Sequence, residues 1–172
     1  MTSAGRWRAA ERSDLSAIVM IASRVHPAFP EHESVFQERL TLYPTGVRVL
    51  ETEGEIGGYV ISHPWRAGSV PALNSLLHAM PDDANTFYMH DLAVLPAMRG
   101  TGLARDIVEK LASHALSEGF PTMSLVAVND SVLFWQHLGF AVASNAAVAE
   151  KIGSYGDSAR LMVRQLSASS TG

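Results

Sequence analysis

The chain has 172 residues, 47% of them hydrophobic, with seventeen acidic against thirteen basic side chains and no cysteine. This length fits one domain able to bury roughly 70% of its unfolded surface, and a mean hydropathy of +0.10 excludes a disordered chain. The missing cysteine excludes disulfides, iron–sulfur clusters and a thiol nucleophile, and the net charge of −4 argues against general nucleic-acid binding without forbidding one local anion site.

The N-terminal stretch has no long apolar core, and the run Ile18–Ala22 is far short of the ~20 residues that cross a bilayer. No membrane association is expected, and a soluble cytoplasmic protein is. Residues 6–10 predict a short first strand. Ser13 and Asp14 start a helix with Leu15, Ile18, Val19 and Ala22 on one face, stopped by Pro27 and Pro30. A second helix is expected from Glu33 to Tyr43, with Phe36 and Leu40 one turn apart. Residues 46–51 and 56–62 predict two strands joined by a hairpin turn at Glu53 and Gly54, the second ended by His63, Pro64 and Trp65. In the connection 63–86, Leu73–Met80 is expected as a short helix and Pro81–Asn85 as loop.

The second half is more strongly patterned. Residues 87–94 (FYMHDLAV) predict a buried strand, 95–104 (LPAMRGTGLA) a loop, and the following residues a helix to about Glu118. That helix carries Leu103, Ile107, Leu111 and Ala115 on its inner face, with Arg105/Glu109 and Asp106/Lys110 as outer ion pairs. Gly119 terminates it, and 123–128 predict a second buried strand, parallel to the first through a right-handed crossover. A shorter helix over Asp130–Leu138 ends in Leu138-Gly139-Phe140. Strands near 140–149 and 159–166 close a single domain over 1–166, and 167–172 read as a frayed tail.

The chemistry concentrates in Arg99-Gly100-Thr101-Gly102-Leu103-Ala104, between a strand and a helix. Glycines let the backbone approach a ligand, the first helical amides lack partners, and the macrodipole adds positive potential, which together cradle phosphate. Arg99 adds fixed charge. Taken alone, the segment also fits a plain strand-to-helix turn. It is neither GxxxxGK[ST] nor a full GxGxxG.

The stretch HDLAVLPAMRGTGLARDIVEKLASHALSEGF resembles the acyl-CoA-binding motif of the GNAT N-acetyltransferase superfamily. Arg99, Gly102 and Ala104 meet the pattern [RQ]-x-x-G-x-[GA], after a strand that ends in Leu92-Ala93-Val94-Leu95-Pro96. A second family motif is similar to SLVAVNDSVLFWQHLGF, residues 124–140. The resemblance implies an α+β (mixed α/β) fold, a twisted mixed sheet of about seven strands flanked by helices. It implies acetyl-CoA as cosubstrate, no metal, and direct transfer of acetyl to a primary amine of a small molecule or peptide. It also implies that strands 87–94 and 123–128 splay apart at their C-terminal ends around the pantetheine arm. Leu92, Ala93 and Val94 would hold that arm, the Val94 amide polarising the thioester carbonyl. Backbone amides of Met98, Arg99, Gly100, Thr101, Gly102, Leu103 and Ala104 would hold the pyrophosphate, and Asn129 and Trp135 join the cofactor-binding set.

One departure matters: Trp135 stands where many members of that family carry a tyrosine that protonates the leaving thiolate. An indole N–H donates a hydrogen bond but is not a usable acid. Tyr155, in the loop GSYG, is a candidate substitute or an ordinary loop tyrosine. His90 and Asp91 are candidates for general base, and alternation along a strand lets at most one face the substrate. In the alternative, Asp91 caps backbone amides and His90 is a core residue. His26 and the run PEHE (30–33) fall where that family shapes its acceptor pocket, as candidate substrate contacts or a solvated loop. Tyr59, Trp65 and Phe29 are equally at home in a pocket wall or a core. The histidines at 26, 32, 63, 78, 114 and 137 form no metal-ligand spacing, and His114 and His137 are expected on the surface. Two other readings remain: an acyl-CoA-binding or regulatory module of weak or no activity, and a plain interaction domain. Dimerisation is common in the family, and no segment here carries it.

Overall fold

The computed structural model describes residues 5–128, 130–143, 152, 155 and 158–167. Its strands are β1 (Arg6–Ala9), β2 (Val47–Thr52), β3 (Glu55–Trp65), β4 (Thr86–Val94), β5 (Thr122–Ala127), β6 (Ala141–Val142) and β7 (Arg160–Gln165). Its helices are α1 (Leu15–Val25), α2 (Glu33–Leu42), α3 (Leu103–Ser117) and α4 (Val132–His137). The strands form one sheet in the order β1-β2-β3-β4-β5-β7-β6, in which β4 and β5 alone run parallel. The expected α+β fold with a seven-stranded mixed sheet is therefore present.

Helices cover both faces of the sheet. On one, Ile107, Leu111 and Ala115 of α3 are fully buried against Leu50, Val60, Phe87, Met89 and Met123. On the other, Leu15, Ile18 and Ile21 of α1 and Phe36 and Leu40 of α2 pack on Val49, Tyr59, Ile61 and Ala93. Each such aliphatic side chain contributes about 1.5–3 kcal/mol of burial free energy. The α1 stripe runs through Ile21 rather than Val19 and Ala22, which are half-buried.

Several local expectations are corrected. β3 continues to Trp65 instead of ending at His63. Asn85 N donates to Trp65 O at 2.9 Å, so by alternation Pro64 turns its nitrogen to the other side of β3. There β2 has already ended, pairing no further than Val47 opposite Ile61, and no donor is needed. Leu73–Met80 is not helical. Its amides bond elsewhere: Asn74 N donates to Glu31 at 2.9 Å, and Leu77 N and His78 N to the two oxygens of Glu38 at 2.6 and 3.0 Å. Asn74 and His78 have φ of 57° and 67°, which a helix cannot contain. The connection is a strap tied across the α1–α2 loop and α2.

The Asp106–Lys110 pair is present at 3.3 Å, whereas Glu109 takes both guanidinium arms of Arg164 on β7 at 2.9 and 3.1 Å. His114 is half-buried and shares a 2.8 Å hydrogen bond with the Tyr43 hydroxyl, while His137 is exposed as expected. Of the strand expected near 140–149, Ala141–Val142 is present, and 144–150 lie outside the described residues. No helix among the described residues is long and apolar enough to cross a membrane.

Candidate active site

The site begins where the parallel pair opens. β4 and β5 are paired at Phe87–Met123, Tyr88–Ser124 and Met89–Leu125, yet β4 runs on to Val94 and β5 to Ala127. Past Met89 the strands separate. On its other edge β4 stays bound to β3, where Leu95 N donates to Gly57 O at 2.8 Å. Alternation then turns the polar groups of Ala93 toward β3 and those of Leu92 and Val94 toward the gap. Val94 O shows that direction, accepting from Arg99 Nε at 3.0 Å.

A cavity of 560 Å³ occupies the gap. Leu92, Val94, Arg99, Ala104, Ser131, Phe134 and Trp135 line one end, and Val25, His26, Phe29, Glu31, Leu73, His90, Asp91 and Tyr155 the other. Ala93 does not line it, because its methyl is buried among the α1–α2 residues and its backbone pairs with Tyr59. Trp135 is both wall and core, packed edge-on against Phe134 and Phe140. Asn129 lies outside the described residues.

At the mouth of the gap the chain makes a 3-10 turn over Pro96–Met98, then enters α3. Two amides expected to face the ligand are already used: Met98 N donates to Leu95 O at 2.9 Å and Arg99 N to Pro96 O at 3.2 Å. Those of Gly100, Thr101, Gly102, Leu103, Ala104 and Arg105 donate to no carbonyl of the described residues, and the ladder starts with Asp106 N to Gly102 O. Gly100 and Gly102 have φ of +82° and +80°, which explains the glycines. A Cβ built on either meets nothing within 4 Å, so the space beside these amides is open. The run of amides without a backbone partner among the described residues therefore spans Gly100–Arg105, starting two residues later than the motif suggested.

The other end of the cavity turns on a β-bulge. Ile61 of β3 pairs with Asp91 and Ser62 with Met89, leaving His90 as an extra residue. The bulge breaks alternation, so His90 and Asp91 both reach the cavity, against the expectation that at most one would. Each meets a partner from the α1–α2 loop. His90 Nε2 lies 2.8 Å from Glu31 Oε1, with both side chains almost fully buried. His26 Nε2 makes an ion-pair contact with Asp91 Oδ1 at 2.9 Å, and the Tyr59 hydroxyl donates to the other Asp91 oxygen. Both His26 ring nitrogens are buried and neither makes a regular hydrogen bond among the described residues, and the ring lies against the Asp91 carboxylate and the Leu92 backbone.

The electrostatics follow from these contacts. Burial alone would lower the pKa of His26, but the adjacent Asp91 carboxylate outweighs it and the value is raised. Burial would raise Glu31, yet His90, the Asn74 amide and Arg39 hold its carboxyl below the usual range. Tyr59 is pushed well above its ordinary value by burial and by Asp91. Burial likewise raises Tyr155, whose hydroxyl donates to Pro71 O at 2.8 Å. The residues underrated in the sequence are thus His26 and Glu31. Of the other wall candidates, Phe29 lines the cavity, Tyr59 is bonded to Asp91, and Trp65 packs against His63 beyond it. No group of three or more His, Asp or Glu among the described residues is placed to hold a metal ion.

Known proteins sharpen this picture. No curated protein sequence matches the chain. The solved structure of the GNAT-like decarboxylase GphF, in complex with isobutyryl-CoA, is similar with a TM-score of 0.78 and 20% identity, over 94% of this chain and 100% of that one. The loading GNATL domain of CurA from Lyngbya majuscula is similar with a TM-score of 0.77 and 13% identity, over 95% and 98%. The ribosomal-protein-S18-alanine N-acetyltransferase from Escherichia coli is similar with a TM-score of 0.65 and 20% identity, over 98% and 97%. At these identities the likenesses establish the fold. The model of the acetyltransferase (GNAT) family matches residues 14–140, from the start of α1 through the α4 cap, and the chain belongs to that family.

Proposed function

We propose that the protein is an acetyl-CoA-dependent N-acetyltransferase that moves acetyl directly onto a primary amine. The observation that carries this reading is the opening of β4 from β5, with six amides unpaired among the described residues at one end and an imidazole–carboxylate pair at the other. The residues fit the cosubstrate. Amides of Gly100–Arg105 face open space suited to a diphosphate, with Arg99 beside them, and the gap-facing groups of Leu92 and Val94 suit the amide-bearing arm. Acetyl-CoA, when bound, supplies an activated thioester.

The chain's own residues do the rest. The Val94 amide is the donor available to the thioester carbonyl. His26, its Nε2 held against Asp91, is the base that takes the ammonium proton, and Tyr59 fixes the carboxylate. The amine N–C bond forms as the C–S bond breaks, one proton leaves through His26, and another ends on the CoA sulfur, delivered by solvent. Trp135 offers no acid, and the Tyr155 proton is committed to Pro71.

The fold relatives include a protein described as a decarboxylase, so fold does not choose the reaction. The far end of this cavity holds the carboxylates Glu31 and Asp91, which disfavours an acidic acyl group there. A purely acyl-CoA-binding module would find support in Trp135, but it gives the His26–Asp91 pair no use. Calorimetry with acetyl-CoA followed by thiol release in the presence of amines tests the proposal. Binding with amine-dependent release supports it, and binding without release for any amine refutes transfer.

A further inference from the structure

The far end of the cavity is tied together by hydrogen bonds between residues distant in sequence. The α1–α2 loop and the strap clasp each other reciprocally: His32 N donates to Asn74 Oδ1 at 2.8 Å, and Asn74 N to Glu31 Oε2 at 2.9 Å. The Tyr155 hydroxyl donates to Pro71 O of the strap. Between these ties the wall is apolar at Val25, Phe29 and Leu73, and its charged groups are Glu31 and Asp91. Arg99, the one Arg or Lys of the described wall residues, stands at the diphosphate end with its Nε on Val94 O.

Behind the wall, Arg39 does not line the cavity, and its Nε and Nη2 are buried without a partner among the described residues. Its side chain is fully buried, and its Nη1 donates to Glu38 at 3.0 Å and to Ser75 O at 3.2 Å. Its charge is matched by Glu38 and by the nearby Glu31. This end of the site thus presents carboxylates, imidazoles and hydrocarbon to an acceptor.

Resting on the acetyl transfer proposed above, we infer that the acceptor is a small monocationic amine with an apolar stem and no carboxylate, rather than an amino acid or a peptide. The ammonium is received between the His26–Asp91 and His90–Glu31 pairs, where His26 takes one proton as the new N–C bond replaces the C–S bond. The stem lies on Phe29, Val25 and Leu73. A carboxylate on the same carbon would be desolvated beside Glu31 and Asp91, with Arg99, the one guanidinium of the described wall, engaged at the diphosphate end. A peptide would have to continue through the clasp between Asn74 and residues 31–32.

The test uses three acceptors that share one benzyl group: 2-phenylethylamine, phenylalanine, and a tripeptide amide with N-terminal phenylalanine. Thiol release is measured with the full chain at saturating acetyl-CoA, and rates are compared per unit of neutral amine. The expected kcat/KM for 2-phenylethylamine exceeds that of each other acceptor by about tenfold or more, the scale of one unpaired buried charge. Equal or better turnover of phenylalanine or the tripeptide overturns the inference while leaving acetyl transfer standing. Thiol release by none of the three, with acetyl-CoA bound, overturns it too. Failure of acetyl-CoA to bind removes the transfer reading itself and this inference with it.

Glu31→Gln supplies a second arm. It should raise KM for 2-phenylethylamine about tenfold with the acetyl-CoA Kd unchanged, and an unchanged KM in a folded variant overturns the inference. Should that variant not fold, Phe29→Ala must erase the preference for 2-phenylethylamine over ethanolamine, and a retained preference counts against the apolar stem.

Discussion

Replacing Gly102 separates the anion cradle from the mere need for a turn. With φ at +80°, any L side chain there is strained, by about 1–2 kcal/mol, so Gly102→Ala and Gly102→Glu share that loss of stability. Neither side chain collides with the protein at its Cβ, because that space is open. The variants differ in one thing: glutamate brings a negative charge to the amides of residues 100–105. Against one phosphate charge at ~4 Å, the repulsion is about 1 kcal/mol in bulk water and about 4 kcal/mol at the effective dielectric of a protein surface. CoA should therefore bind Gly102→Glu between about fivefold and a thousandfold more weakly than Gly102→Ala. Calorimetry measures this directly, with the difference shrinking in high salt. Pantetheine, which lacks the diphosphate, should bind both variants alike. Equal CoA affinity in the two variants, at matched thermal stability, would refute the phosphate cradle.

Other consequences are independent of that loop. The raised pKa of His26 places the rising limb of kcat/KM above pH 6.5, and Asp91→Asn should move that limb to lower pH because the charge that holds the proton is gone. His26→Gln should lower kcat by about 10²–10⁴ with the acetyl-CoA Kd intact, and an unchanged kcat would exclude His26 as base. Buried His63 has its pKa lowered to about 3 and is neutral in the fold. Its unfolded form gains a proton below about 6.5, so its contribution to stability is full above that pH and is lost as pH falls toward 3. His63→Asn should flatten the decline in Tm over that window. Ile107→Ala should cost about 2–5 kcal/mol in urea unfolding, and Asp106→Ala, at an exposed pair, under about 1 kcal/mol.

The parts of the molecule that could be read from sequence are those governed by local chemistry. Ile107, Leu111 and Ala115 repeat every four residues, and the glycines at 100 and 102 announce a left-handed backbone next to a helix start. The parts that could not be read depend on pairing across distance. The alternation argument failed at His90 because the bulge is a property of the β3–β4 register, and nothing in FYMHDLAV marks it. The helix expected over Leu73–Met80 has suitable residues, but carboxylates of Glu31 and Glu38, some forty positions away, claim its amides. His26 and Glu31 fall in a stretch that reads as solvated loop. They are buried only because α1 and α2 dock on the sheet and carry that loop onto the bulge. Met98 shows the same limit on a smaller scale, since the 3-10 turn that uses its amide follows from Pro96 and Leu95 rather than from the glycine motif.

The most direct measurement is a crystal structure of the protein with CoA. The diphosphate is expected on the amides of Gly100–Arg105, the pantetheine arm between β4 and β5 beside Leu92 and Val94, and the sulfur on the side of the cavity where His26 meets Asp91. CoA seated elsewhere on the sheet, or a thiol end remote from His26 and Asp91, would contradict this placement.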